Sequence, residues 1–136
     1  MPSLEFPYTF LYYGAPSIQV RVSSESRGAT VRRYAFIDTG AEVSLFDLSI
    51  ATEIGLDVED APTIGVSGVG GLIREAMLAE ITLELLGEPE LSVTLEVAFA
   101  PDVEQMHGNL LGLDVLEHFE FGLSHIERLG YLNRPG

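Results

Sequence analysis

The chain contains no cysteine, and this absence excludes several classes of protein. Without cysteine there is no disulfide framework, no thiolate nucleophile and no zinc–thiolate site, a composition that fits a reducing compartment. No apolar run reaches the roughly eighteen residues that a membrane-spanning helix needs, and the N-terminal segment lacks the basic and apolar parts of a signal peptide. The sequence therefore predicts a soluble, cytoplasmic protein.

Positive charge is also scarce. Seven basic residues stand against twenty-one acidic ones, which gives a formal net charge of −14 at pH 7. Such a chain repels phosphate backbones and anionic membrane surfaces, so we expect neither a nucleic-acid nor a membrane partner. Two copies of the chain would also repel each other at low salt, and any dimer should tighten as salt or acidity rises.

Alternation of apolar and polar residues is the main pattern that is present. It predicts strands over 16–23 and 29–37, and a long hairpin formed by 77–85 and 91–99. The length of 136 residues, 46% of them hydrophobic, suits one core. We therefore predict a single domain over residues 1–136.

Only two short segments have a helical pattern. In residues 47–54 Asp47 can cap the first turn, and a glycine follows where the helix should end. In residues 114–119 Asp114 followed by Glu117 resembles a capping box. The fold class is accordingly all-β with one or two short helices.

The strand over 29–37 runs into Asp38-Thr39-Gly40-Ala41. An aspartate can act as a general acid or base, threonine can anchor a loop, and glycine allows a sharp turn close to a substrate. Taken alone, the tripeptide is equally explained by an Asx turn between two strands. The four residues before it carry no charge, however, and a carboxylate at the end of such a strand needs a reason.

Two further segments fit the same chemistry. Residues 65–71 hold four glycines, a composition suited to a hairpin tip that closes over a ligand, although a purely structural turn remains possible. The segment has neither the lysine of a phosphate-binding loop nor the glycine spacing of a dinucleotide site. Asn109-Leu110-Leu111-Gly112 is an apolar strand that leads into the second helix and would by itself be a core junction.

With these three motifs in this order, residues 16–123 resemble the retropepsins, the single-domain aspartic proteases of retroviral type. The resemblance implies an acid-protease half-barrel with a β-hairpin flap. It also implies a homodimer, because one chain supplies one catalytic aspartate, and a peptide or protein substrate held in an extended form. Hydrolysis by this mechanism needs no metal and no other cofactor.

The resemblance also implies roles for individual residues. Asp38, Thr39 and Gly40 would form the catalytic loop. Substrate would be contacted by the residue after this loop, by the glycine-rich hairpin and by the apolar strand behind the loop: Ala41, Val66, Gly68, Val69, Leu72 and Leu111. The match is incomplete at Leu113, where retroviral members usually have an arginine that pairs with an acid just beyond the catalytic loop, here Glu42.

Other interpretations remain open from the sequence. The chain could keep this fold as a catalytically silent peptide-binding or dimerisation module. It could also be a small-ligand β-barrel in which Asp-Thr-Gly is incidental. The three histidines have no metal-binding spacing, and we interpret them as ordinary surface or core residues.

Overall fold

A computed structural model describes residues 6–25, 28–67 and 73–135, and strands dominate it. The strands are β1 (Tyr8–Leu11), β2 (Ser17–Ser23), β3 (Thr30–Ile37), β4 (Leu45–Asp47), β5 (Thr63–Ser67), β6 (Ile73–Leu85), β7 (Ser92–Ala100), β8 (Asn109–Leu111), β9 (Glu120–Ser124) and β10 (Leu129–Asn133). The helices are α1 (Leu48–Glu53), α2 (Val103–Met106) and α3 (Leu113–Leu116), with a 3₁₀ turn at Pro89–Leu91. The all-β prediction is confirmed, with three short α-helices in the described ranges rather than one or two.

The largest sheet closes on itself. Its strand order is β2-β3-β8-β4-β7-β6-β5, and β2 also pairs with β6, so six strands form a barrel and β5 lies outside it against β6. Both predicted hairpins are present: β2 pairs antiparallel with β3, and β6 pairs antiparallel with β7 from Met77 opposite Phe99 to Glu84 opposite Ser92. The half-barrel expected from the sequence is a closed ring in this chain.

Alternation fixes which face of each strand enters the core. On β2 Val20 and Val22 are fully buried, whereas Arg21 between them points outward. On β6 Ile81 and Leu83 are buried in the same way. Because side chains alternate strictly along a strand, a one-residue shift in pairing would expose all of these residues, and the pattern therefore sets the register of the barrel.

The short strand β8 brings distant parts of the chain together. It lies between β3, to which it is parallel with Ile37 opposite Leu111, and β4, to which it is antiparallel with Leu45 opposite Leu110. The residue that follows β3 is Asp38. The insertion of β8 therefore places the Asp38 loop directly against the apolar strand that the sequence pattern singled out.

A second sheet is made from the two ends of the described chain. Its order is β1-β10-β9, with both pairs antiparallel. The ring of Phe10 lies over Gly130, where a Cβ atom would come within 2.1 Å of it, and is stacked 6.4 Å from Phe121. The sequence did not predict this sheet, because each of its strands is only four or five residues long.

Of the two helix caps that the sequence predicts, one is confirmed and the other is wrong. Asp47 caps α1 as predicted and accepts a hydrogen bond from the backbone N–H of Ser49 at 3.0 Å. The capping box at Asp114 is wrong: α3 begins at Leu113 after Gly112, and the Asp114 carboxylate binds a loop 70 residues away. None of the helices in the described ranges is long and apolar enough to cross a membrane.

Candidate active site

Asp38 follows β3 directly and is held by its own turn. Its backbone N–H donates to the carbonyl of Leu111 at 2.9 Å, and its carbonyl accepts from the N–H of Ala41 at 3.2 Å. The backbone N–H of Gly40 donates to Oδ1 at 2.9 Å. Oδ2 accepts no hydrogen bond from the described residues. One carboxylate oxygen is thus fixed by the backbone, and the other is left for an external partner.

The segment after Asp38 is bound to α3. The N–H of Leu113 donates to the carbonyl of Ala41 at 2.8 Å, and that of Asp114 donates to the carbonyl of Glu42 at 3.2 Å. These bonds join the loop and α3 through the backbone alone. The loop therefore keeps its position although Leu113, which is 44% exposed, stands where the retroviral members usually carry an arginine.

Ser44 and Asp114 form a polar pair behind the loop. The hydroxyl of Ser44 donates to Oδ1 of Asp114 at 2.7 Å, and the N–H of Ser44 donates to Oδ2 at 2.9 Å. The same hydroxyl accepts from the N–H of Gly112 at 2.9 Å. Ser44 is fully buried, so each of these groups would otherwise lack a partner. A serine inside the apolar run after Asp38 is the sequence signal for this pair, and Ser44 was not among the predicted site residues.

Gly112 is needed for the close approach of these segments. A Cβ atom at this position would lie 2.6 Å from the carbonyl oxygen of Ala41 and 3.0 Å from the carbonyl carbon of Val43. Both neighbours are backbone atoms, which cannot rotate away as a side chain would. The glycine of the Leu-Leu-Gly motif is therefore explained by packing against the Asp38 loop.

An open groove of about 320 Å³ lies beside Asp38. Apart from Asp38, its lining consists of Ala15, Pro16, Phe36, Ile37, His107 and Leu110. Phe36 is 36% exposed although it belongs to the strand that leads to Asp38. The lining is thus largely apolar, with a carboxylate and an imidazole as its ionisable groups, and it suits an apolar side chain next to a reacting polar group.

The apolar strand contributes a different leucine from the one predicted. Leu111 is fully buried in the main core, and Leu110 lines the groove. Successive side chains of a strand point to opposite faces, so the two leucines cannot share a role. The assignment of Leu111 as a pocket wall is therefore corrected to Leu110, while Leu111 supplies the carbonyl that anchors Asp38.

Other predicted residues lie at varying distances from the groove. Thr39 and Gly40 are exposed at the turn, and Ala41 is half-buried beside them. Val66 on β5 packs against a second apolar cluster that includes Leu45, and it does not line the groove around Asp38. The predicted substrate contacts Gly68, Val69 and Leu72 lie outside the described residues.

His107 was not singled out by the sequence but lines the groove. Its Nδ1 lies 2.7 Å from the carbonyl oxygen of Gly108 and donates to it, because a carbonyl oxygen can only accept. Gly108 has φ of +89°, and a Cβ atom there would meet the ring of Phe36 at 2.7 Å. A histidine before a glycine is a weak sequence signal, and only the fold shows that it faces the groove.

Asp47 organises the elements next to this histidine. Its Oδ2 accepts from the N–H of Glu104 at 2.9 Å, and its own N–H donates to Oδ1 of buried Asn109 at 2.8 Å. Burial alone would raise the pKa of Asp47. The backbone N–H groups of Glu104, Ser49 and Val103 outweigh this effect and hold that pKa below its usual value. The ionised carboxylate thereby ties α1 to α2, and the backbone N–H of Asp47 joins both to β8.

Comparisons with known proteins agree with this geometry. The structure is similar to that of EIAV protease complexed with the inhibitor HBY-793, with a TM-score of 0.55 and 19% sequence identity over 76% of this chain and 86% of that chain. At this identity the likeness shows the fold, which is retropepsin-like. No curated protein matches the chain. A family profile described as aspartyl protease matches residues 18–115, well over half of the sequence. The chain belongs to the aspartyl protease family.

Proposed function

We propose that this protein is an aspartic endopeptidase that acts as a homodimer, with Asp38 of each copy facing the other across a two-fold axis. The observation that carries the proposal is the hydrogen bonding of the Asp38 carboxylate. Its Oδ1 is fixed by the N–H of Gly40, and its Oδ2, which has no partner among the residues that the structure describes, lies beside an open, largely apolar groove. Membership of the aspartyl protease family and the retropepsin-like fold support the same activity.

The chemistry follows from two carboxylates placed close together. Two such groups about 3 Å apart cannot both ionise readily, so the pair shares one proton. The ionised Asp38 takes a proton from a bound water while the water oxygen attacks the peptide carbonyl carbon, and the protonated Asp38 of the other copy gives its proton to the carbonyl oxygen. The resulting diol collapses when the amide nitrogen is protonated and the C–N bond breaks.

The surrounding residues would position the substrate. Phe36 and Leu110 provide an apolar wall for the side chain next to the cleaved bond. The hairpin of β5 and β6 would serve as the flap, and the segment of the sequence between these strands, which includes Gly68, Val69 and Leu72, would contact the substrate. Gly40 would bond to the substrate backbone, and Thr39 would bond across the two-fold axis.

An exposed apolar patch supports dimerisation next to the groove. We define this patch as Leu11, Tyr13 and Ile126, which are 70%, 90% and 97% exposed. The N–H of Tyr12 donates to the carbonyl of Arg128 at 3.1 Å, which holds the two chain segments of the patch together. Ala15, two residues after Tyr13, already lines the groove. A second copy covering the patch would therefore lie near Asp38.

A catalytically silent peptide-binding module is the second candidate. It is favoured by the fact that, within the described ranges, the groove of a single chain contains one carboxylate, whereas the mechanism needs two. Both candidates bind an extended peptide, and they differ in whether the bound peptide is cut.

Cleavage of a mixed peptide library across acidic to neutral pH separates the two. The wild type and Asp38→Asn should be compared at several protein concentrations, with sedimentation recording the dimer. We expect cleavage by the wild type only, with specific activity rising as the dimer forms. A wild type that is dimeric and binds peptides without cutting them would instead establish the silent module.

A further inference from the structure

A second pocket lies on the outer face of β2 and β3, at the end of β3 far from Asp38. It measures about 110 Å³ and is lined by Gln19, Arg21, Arg32, Leu86 and Gly87. Arg21 and Arg32 are direct cross-strand partners in the antiparallel pair. Directly opposed residues project from the same face of a sheet, so the two guanidinium groups are neighbours at this pocket.

Such a pair is unexpected in this chain. Like charges opposite each other destabilise a sheet, and the sequence offers three acidic residues for every basic one. Arg21 has Glu84 at 3.5 Å. The guanidinium of Arg32 has no partner among the described residues, whereas each of the other described arginines contacts an acid or a backbone carbonyl.

Gln19 and a turn that is hydrogen-bonded to it complete the pocket. Gln19 is half-buried, and its carboxamide has no hydrogen-bond partner in the described part of the chain. The turn at Leu86 and Gly87 has φ of +58° and +69°, and the N–H of Leu86 donates to the carbonyl of Gln19 at 2.8 Å. Within the described ranges, an amide and a guanidinium without partners thus border a concave surface, the arrangement that recognises oxyanions.

The net charge of the side chains at the pocket indicates which kind of oxyanion it would bind. Arg21, Arg32 and Glu84 together carry a net charge of +1 in a chain whose formal charge is −14. A single carboxylate neutralises this charge, whereas a phosphate dianion would exceed it and would be repelled by the rest of the molecule. The fitting ligand is therefore the side chain of an aspartate or glutamate.

A continuous exposed face connects this pocket to the groove at Asp38. Arg32, Tyr34 and Phe36 alternate along β3 on one side, and Tyr34 is 68% exposed. Arg32 precedes Asp38 by six positions. At about 3.3 Å per residue in extended chains, this separation of roughly 20 Å corresponds to about six residues of a peptide lying along the strand.

We propose that Gln19, Arg21 and Arg32 form an exosite that binds an acidic side chain of the substrate, about six residues from the cleaved bond. The inference rests on the proposed peptidase function and adds a substrate class to it: proteins with an apolar cleavage site and an acidic residue at that distance. Tyr34 supplies an apolar contact to the intervening peptide. Binding of the acidic side chain at this pocket would be separate from cleavage of the peptide bond at Asp38.

Binding to the Asp38→Asn variant tests the exosite without cleavage. Fluorescent peptides with a central apolar pair would carry one Glu at successive distances from it, each with a Gln-matched partner. We expect the Glu peptide to bind about tenfold more tightly at the optimal distance, the effect of one charge-assisted contact. Adding Arg32→Gln should abolish this preference, and adding Glu84→Gln should increase it. Arg134→Gln is the charge-matched control, because Arg134 contacts Ser92 and Phe119 instead.

Several results would overturn the exosite. One is equal binding of Glu and Gln peptides at every distance, and another is a Glu preference that survives Arg32→Gln. Inorganic phosphate that binds through Arg32 while peptides show no Glu preference would assign the pocket to a free anion. A Glu preference in a protein whose wild type never cleaves would retain the exosite and reject the peptidase, and cleavage without the preference would do the reverse.

Discussion

The Asp38 loop and the terminal sheet are built from different interactions. Backbone and carboxylate hydrogen bonds hold the loop, among them those that join Ser44 to Asp114. The terminal sheet adds aromatic packing around Phe10 to its antiparallel strand pairing, and the exposed side chains of Tyr13 and Ile126 lie in segments next to its strands. Hydrogen bonds depend strongly on direction and apolar contacts do not. The Asp38 loop is therefore held mainly by directional bonds, whereas apolar side chains next to the terminal sheet are left exposed.

Phe10→Ala should give the largest loss of stability, because it empties the space over Gly130 and beside Phe121. We expect the free energy of unfolding in urea to fall by about 3–4 kcal/mol. Thr9→Ala, on the exposed side of the same strand, should change it by less than about 0.5 kcal/mol. A loss below about 1 kcal/mol for Phe10→Ala would show that the terminal sheet is peripheral to folding.

Asp114→Ala should test the directional bonds of the loop. It leaves the hydroxyl and N–H of buried Ser44 without their acceptor, and we expect a loss of about 2–3 kcal/mol together with most of the cleavage activity. Glu117→Ala, at an exposed position just after α3, is the matched control. Retention of full activity per folded molecule would mean that the loop does not depend on this pair.

Asp47→Asn should lower stability by about 2 kcal/mol at pH 7, because an amide cannot accept from both Ser49 and Glu104 as the carboxylate does. The folded-state pKa of Asp47 is lowered, so its contribution is present above its unfolded pKa of about 3.8 and is lost as pH falls through the folded value. The difference between variant and wild type should therefore shrink below about pH 4. Urea unfolding over a pH series measures it, and a difference that grows with acidity would contradict the assignment.

Ile126→Glu should have the smallest effect on folding and a clear effect on association. The side chain is 97% exposed, so we expect the unfolding free energy to change by less than about 0.5 kcal/mol. If the patch of Leu11, Tyr13 and Ile126 is covered by a second copy, the dimer should weaken at least about tenfold in sedimentation. Glu127→Gln, exposed at the next position, serves as a control. An unchanged dimer would place the interface elsewhere.

Much of the barrel was predictable from local pattern. Alternation found β2, β3 and the β6–β7 hairpin because each of these strands has seven or more residues, enough to show a period of two. The cap at Asp47 was predictable because its partner, Ser49, is two residues away. Local signals of this kind are present in the sequence itself.

The details of the site were not predictable, because they depend on contacts between distant residues. The pairing of Ser44 with Asp114 spans 70 positions, and a nearer capping role for Asp114 looked equally suitable. The three-residue strand β8 is too short for its phase to tell which of Leu110 and Leu111 faces the groove. The position of His107 likewise follows only from the path of the chain around α2.

The insertion of β8 between β3 and β4 also has a consequence for the order of folding. Its parallel pairing with β3 joins Ala35 to Asn109, and contacts so far apart in sequence form slowly because a long loop must close first. The β2–β3 hairpin can form early, but the carbonyl of Leu111 reaches Asp38 only when β8 docks. We therefore expect a chain emerging from synthesis to hold Asp38 in its final position only as one of the last steps of folding.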